Sequence, residues 1–288
     1  MINLINLLRP KHYIKNFFIF LPLFFAGEIK NIELLIISTI AFISFSLTAS
    51  AIYILNDLKD IKSDKKHPIK KFRPLAAGLV KKKTAINLMV VLTLLGMCLM
   101  YYISLESFLI LLLYIIINIG YSFKLKHIAL IDVIIISSGF VIRVFVGSFS
   151  YDISLTSWFV IMTFLIAIFL ALSKRRDDVL INLRSGKKMR QSIDGYNLKL
   201  IDGTIIMMGA VIIVAYIQTT INKDFLLGFQ NDYLYLTSVF VIFGIMRYLQ
   251  ITIVHENSGS PTEIVFKDKI LQINIGLWIL MFVGFIYI

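Results

Sequence analysis

Ile36-Ile37-Ser38-Thr39-Ile40-Ala41-Phe42-Ile43-Ser44-Phe45-Ser46-Leu47-Thr48-Ala49-Ser50-Ala51-Ile52-Tyr53-Ile54-Leu55 runs directly into Asn56-Asp57-Leu58-Lys59-Asp60-Ile61-Lys62-Ser63-Asp64. The first part is long and apolar enough to cross a bilayer as a helix. The second part places three carboxylates at its mouth. Their spacing of three and then four puts Asp57, Asp60 and Asp64 on one helix face, one turn apart. Asn56 lies four residues before Asp60 and joins the same edge. Carboxylates at a membrane mouth are costly unless something uses them. A row of this kind can share divalent cations, and Mg²⁺ favours a few carboxylates plus substrate phosphates over a closed protein cage. The row therefore points to a membrane enzyme that holds a diphosphate through Mg²⁺. The plainer alternative is a solvated helix end with Asp–Lys pairs, since Lys59, Lys62, Lys65 and Lys66 are interleaved.

Outward from this stretch the same apolar pattern recurs. The chain has 288 residues, 58% of them hydrophobic, more than a soluble domain could cover. The pattern predicts an all-α integral membrane protein with nine spans, near 14–27, 33–55, 85–105, 107–122, 129–149, 155–173, 204–222, 233–252 and 270–288. The first is short and contains Lys15 and Pro22, so a tilted or interfacial entry is expected. Between 85 and 122 only Tyr101, Tyr102, Ser104 and Glu106 mark a break. Segment 16–27 lacks a convincing cleavage site and is read as mature structure. Cys98 is the single cysteine, so no disulfide within the chain is possible, and an apolar packing role is expected.

The net charge of +12 is informative through its placement. With nine spans, 26 of the 29 Lys and Arg fall on alternate connections, at the N-terminus, in 56–84, in 123–128, in 174–203 and around the last such loop. By the positive-inside rule the N-terminus is cytoplasmic and the C-terminus outside, in the inner (plasma) membrane. All large polar segments then lie on the cytoplasmic side, and soluble chemistry is expected there. The two longest, 56–84 and 174–203, follow spans two and six, which hints at two related halves within a single catalytic domain, 1–288. Basic residues that flank spans, with no nucleic-acid module, argue against nucleic-acid binding and for membrane lipids as neighbours.

Further candidates follow the Asp row. Lys70 and Arg73 lie between Pro68 and Pro74, which restrict the backbone, with Gly78 permitting a turn. Cations held there would stabilise charge on a leaving diphosphate; attraction to anionic lipid heads is the other reading, and it suits Lys81, Lys82 and Lys83 better. Tyr121 and Lys124 share a face at the inner end of span four, either as a phosphate-binding pair or as an interfacial aromatic and a snorkelling lysine. Asp132 and Arg143 share a face of span five about 16 Å apart, too far to pair. Asp132 is placed to join a polar cavity; Arg143 either snorkels or satisfies a buried partner. At the inner end of span six, Lys174 and Arg175 precede Asp177 and Asp178, which suits a second anionic group or a simple helix salt bridge. Pro261-Thr262-Glu263, after Ser260, reads as a helix start. His12, His67, His127 and His255 show no metal-ligand spacing.

Taken together these motifs resemble the UbiA-type intramembrane prenyltransferase superfamily. The match is Asn56-Asp57-x-x-Asp60-x-x-x-Asp64 after span two and Tyr121-x-x-Lys124 after span four. Within that group the chain is most similar to decaprenyl-phosphate phosphoribosyltransferases. The residues that carry this are Arg9-Pro10-Lys11-His12-Tyr13-Ile14-Lys15-Asn16, His67-Pro68, Arg73-Pro74-Leu75-Ala76-Ala77-Gly78, Tyr121-Ser122-x-x-Leu125-Lys126-His127, Gly139-Phe140-Val141-Ile142-Arg143, Ser173-Lys174-Arg175 and Pro261-Thr262-Glu263. The resemblance implies a nine-helix UbiA-like bundle that transfers 5-phosphoribose from phosphoribosyl diphosphate to a polyprenyl phosphate. It implies Mg²⁺ on Asn56, Asp57, Asp60 and Asp64, with Lys15, Lys70, Arg73, Tyr121, Lys124, Lys174 and Arg175 around the substrates. Aromatic prenyltransferases of the superfamily carry a second Asp-rich motif after span six. Here Lys174 and Arg175 lead instead, which fits a donor with a diphosphate at one end and a phosphate at the other. The rival implied by the resemblance is transfer of a prenyl group from its diphosphate to an aromatic or other small acceptor. A homo-oligomer is allowed and not decided.

Overall fold

The computed structural model describes residues 2–65, 70–186, 191–221, 233–256 and 261–287; His67, Pro68 and Ser260 lie outside them. Among the described residues there are helices and turns and no strand. The chain is a multi-pass membrane protein. Among the described residues seven helices are long and apolar enough to span a bilayer, and Lys269–Phe285 is a shorter apolar helix. The expected first span, 14–27, is built from the end of a 3₁₀ run, Pro10–Phe20, and one turn, α2 (Leu21–Phe25), after a separate short helix α1 (Ile2–Leu8). The expected thin break near 104 is real. Helix α4 (Lys82–Ile103) stops at Ser104, whose side chain accepts the Ser107 N–H and starts α5 (Leu105–Phe123). Large apolar side chains such as Leu94, Ile116, Val214 and Leu280 stand exposed on these helices, as a lipid environment requires. Cys98 is exposed on α4 and does not pack in the core as expected.

Two compact units form. The first comprises residues 1–126 and 139–154. Its axis is α3 (Ile32–Asp64), 33 residues long. At 1.5 Å per residue that is about 50 Å, well beyond a hydrocarbon core of roughly 30 Å, so the Asp row is the overhanging end of the span itself. Asn31 caps the start of α3 by accepting from the Leu34 N–H. Small residues allow close packing on α4: Ser44 donates to the Gly96 carbonyl at 2.7 Å, and a Cβ on Gly96 would overlap Thr48.

The 3₁₀ run is unusually long for its type, and its irregular backbone needs outside partners. These come from α3, from one stripe of α6 (Ile131–Ser150) and from the residue just beyond α6. Arg143 Nε donates to Asn16 Oδ1 at 2.8 Å, and Asn16 donates in turn to Ser46. A Cβ on Gly147 would run into the Ile19 carbonyl. The Tyr151 hydroxyl donates to that carbonyl at 3.0 Å and accepts the Leu23 N–H. Arg143 is therefore a buried structural cation, not a snorkelling one, and it lies over the Phe45 ring.

The second unit comprises residues 127–138 and 155–288. Helix α7 (Ser157–Ser185) is capped by Thr156 and ends at left-handed Gly186. It packs on α8 (Leu198–Ile221), and α9 (Ser238–Leu249) continues into a π turn, Gln250–Val254. Pro261 does start a helix, α10 (Pro261–Lys267), and α11 (Lys269–Tyr287) follows. Asp268 caps α11 and is bound by Arg247, whose hydrogen bond holds the carboxyl below its ordinary range.

Candidate active site

The Asp row occupies the last turns of α3. Carboxylates at a helix C-terminus face the negative end of the macrodipole, each at a cost of about 0.3–1 kcal/mol. Asp57 and Asp64 are also nearly sealed from solvent, at 2% and 3% exposure. Such groups demand counter-charges, and three arrive from other segments of the first unit. Arg9 pairs with Asp57 through Nη2. Arg73 Nη1 reaches Asp57 Oδ1 at 3.1 Å and Asp64 Oδ2 at 2.8 Å. Lys126 Nζ reaches Asp60 Oδ1 at 2.5 Å.

The local backbone explains how these cations get there. Arg9 sits in the left-handed region, φ 55°, and turns the chain from α1 into the 3₁₀ run that Pro10 begins. Its guanidinium lies 5.2 Å from the centre of the Tyr53 ring, one turn before Asp57 on α3. Burial pulls the Arg9 pKa below its ordinary value, and the Asp57 charge opposes that. Arg73 follows the short helix Lys70–Phe72, and left-handed Gly78 closes the turn after it. Lys126 lies in the turn Leu125–His127 beyond α5.

Of the residues expected from sequence, Arg73 meets the row directly. Lys15 lies in the 3₁₀ run and Lys70 opens the turn before Arg73. Tyr121 is in the last turn of α5; Lys124 caps that helix and is exposed. The lysine on the row is Lys126, two residues on. Arg9 and Lys126 stand within the sequence motifs, and only the chain path brings them to α3.

The row fits a metal of hard-oxygen preference. Asn56 Oδ1 is buried and accepts no hydrogen bond among the described residues, beside three carboxylates. Among the described residues no three acidic or histidine side chains converge on one point.

The second unit carries its own buried polar cluster. Arg175 pairs with Asp132 at 2.7 Å and with Asp178 at 2.5 Å. Asp132, fully buried, also accepts from Ser192 at 3.2 Å and from the Tyr196 hydroxyl at 2.8 Å. Tyr196 in turn accepts the Leu130 N–H at 2.7 Å. Burial, with the Asp132 bond, pushes the Tyr196 pKa up, so the phenol stays protonated. Lys174, next to Arg175, is exposed. Arg176, not anticipated, binds Asp202 at 2.6 Å and the Thr252 carbonyl in the π turn at 2.7 Å.

A nine-residue acidic helix end answered by cations, on an all-helical membrane protein, matches a known family: the UbiA prenyltransferase family model aligns with residues 16–285. The chain belongs to the UbiA prenyltransferase family. Among relatives of this UbiA protein is a decaprenyl-phosphate phosphoribosyltransferase of Mycolicibacterium smegmatis, 32% identical over 96% of this chain and 90% of the relative. Another of the same name, from Corynebacterium glutamicum, is 30% identical over 99% of this chain and 87% of the relative. The fold is also that of a UbiA homolog from Archaeoglobus fulgidus solved with DMAPP and Mg²⁺, with TM-score 0.71 over 98% of both chains at 17% identity.

Proposed function

We propose that this UbiA-family transferase moves 5-phosphoribose from phosphoribosyl diphosphate to a polyprenyl phosphate and releases diphosphate. The observation that carries the reading is 30–32% identity over 96–99% of this chain to enzymes named for that transfer. The whole chain acts as one catalytic domain. It crosses the inner membrane nine times, N-terminus inside and C-terminus outside, with 56–84 and 174–203 at the cytoplasmic face. The distribution of Lys and Arg supports that orientation.

Asp57, Asp60 and Asp64, with Asn56, hold Mg²⁺. A bound Mg²⁺ neutralises charge on the diphosphate leaving group. The bond from the ribose C1 to the diphosphate oxygen breaks with its electron pair leaving on oxygen. A phosphate oxygen of the lipid forms the new bond to C1. That oxygen is already anionic, so no general base is assigned. Lys15, Lys70 and Arg73 are assigned to the donor phosphates. Tyr121, Lys124, Lys174 and Arg175 are assigned to the 5-phosphate or the lipid phosphate. Arg175 takes such a role only by exchanging one of its carboxylates. Catalysis rests on positioning and electrostatics.

The test is incubation of purified protein with labelled phosphoribosyl diphosphate, a polyprenyl phosphate and Mg²⁺. Labelled lipid is expected. No labelled lipid, with product formed instead from a prenyl diphosphate and an aromatic acceptor, overturns the reading.

A further inference from the structure

Asp57 Oδ1 accepts two guanidinium nitrogens, Arg9 Nη2 and Arg73 Nη1. Each arginine spends a single nitrogen on it. Arg73 uses that same Nη1 for Asp64 as well. The row thus has its charge neutralised by groups whose planar forks are suited to diphosphate oxygens, not to a carboxylate held end-on. Arg9 also has a second anchor, because its guanidinium rests over Tyr53. It stays beside the row even when Asp57 is taken by another cation. Meanwhile Asn56 Oδ1, adjacent in the chain to Asp57, is buried and accepts no hydrogen bond among the described residues.

We propose that Arg9 and Arg73 are placeholder cations that occupy Asp57 and Asp64 until a divalent metal displaces them, whereupon their guanidinium forks turn to the incoming diphosphate. The arrangement keeps two buried carboxylates neutralised at the unfavourable end of a helix before substrate arrives. It also links metal and diphosphate binding, since a metal alone must evict two cations, whereas a metal with diphosphate gives those cations a new acceptor. Arg9 thereby becomes a donor-recognition residue. The inference rests on the metal-and-diphosphate reading of the row. It is independent of whether the donor carries ribose or a prenyl chain.

The experiment uses the full chain in detergent or nanodiscs, with Mn²⁺ alone and inorganic diphosphate as probes. Calorimetry or Mn²⁺ paramagnetic resonance reads Mn²⁺ binding first without and then with diphosphate. R9Q is expected to bind Mn²⁺ alone about tenfold tighter, because a competing charge is gone. With Mn²⁺ saturating, the same variant is expected to bind diphosphate about tenfold more weakly, because a charge-assisted donor is gone. R9K, which keeps the charge without the fork, is expected to keep the wild-type Mn²⁺ affinity and recover only part of the diphosphate affinity. R73Q gives the same opposed pair of shifts and serves where R9Q fails to fold. Unchanged Mn²⁺ affinity, or loss of both affinities together, overturns the proposal.

Discussion

Arg175 and Asp132 form an ion pair, Nε to Oδ2 at 2.7 Å, with both side chains shut away from solvent. Asp132 opens α6, and Arg175 is deep in α7. Desolvation makes such a pair neutral or costly compared with an apolar packing, yet breaking it strands a buried charge at roughly 3–5 kcal/mol. D132N is therefore expected to lower the melting temperature sharply in detergent. R175M combined with D132N is expected to be less destabilised than the sum of the two single changes, as a double-mutant cycle by thermal melting will read.

Tyr196 hangs on the same carboxylate, and its raised pKa gives a signed pH dependence. The unfolded phenol ionises near pH 10 while the folded one does not. Its stabilisation is thus complete below about pH 10 and declines as pH rises above that. Y196F is expected to cost about 1.5–3 kcal/mol at pH 8, for the bond to a charged group. The gap between wild type and variant is expected to shrink in melts above about pH 10.

Asp60, the middle and most exposed carboxylate of the row, pairs with Lys126. D60N is nearly isosteric and leaves the helix intact. It is expected to abolish Mg²⁺-dependent transfer of labelled phosphoribose while the melting temperature in the absence of metal stays within a few degrees. A wild-type protein that transfers no phosphoribose, with a function that D60N leaves intact, would favour a lipid-binding or transporter-like role for the chain. Chelation of divalent cations is expected to stop turnover, and readdition of Mg²⁺ to restore it.

Gly147 is where α6 meets the 3₁₀ run. G147A pushes a methyl group into the Ile19 carbonyl. Overpacking of this kind costs about 1–3 kcal/mol. The displaced segment carries Arg9 and Lys15, so a higher KM for the donor is expected along with a lower melting temperature. The steady-state assay and the melt check both.

Much of this architecture was legible in the sequence because a bilayer imposes simple rules. Apolar length placed the long helices, but α3 runs nine residues past the expected 55 and α7 twelve past the expected 173, because the polar ends stay helical beyond the apolar run. The three–four spacing of Asp57, Asp60 and Asp64 fixed their common face, and the Ser104 break separated α4 from α5. The first segment was not legible in the same way. Residues 14–27 are apolar enough for a span, but with Pro10 and Pro22 and partners on α6 they are built as a 3₁₀ run and a short turn in place of one regular α-helix.

What the sequence by itself determined is local and periodic: an all-helical membrane chain, an acidic row overhanging one helix, and basic segments on alternate connections. Hydropathy and helical period depend only on neighbours along the chain. What only the tertiary structure decided is which cation meets which carboxylate. Lys126 and not Lys124 reaches Asp60, Arg9 crosses 48 positions to Asp57, and Arg175 is already bound by Asp132 and Asp178. Lysine and arginine side chains are long and interchangeable in a sequence pattern. Their pairing is set by where turns such as left-handed Arg9 deliver them, and by the cost of leaving any buried carboxylate unanswered.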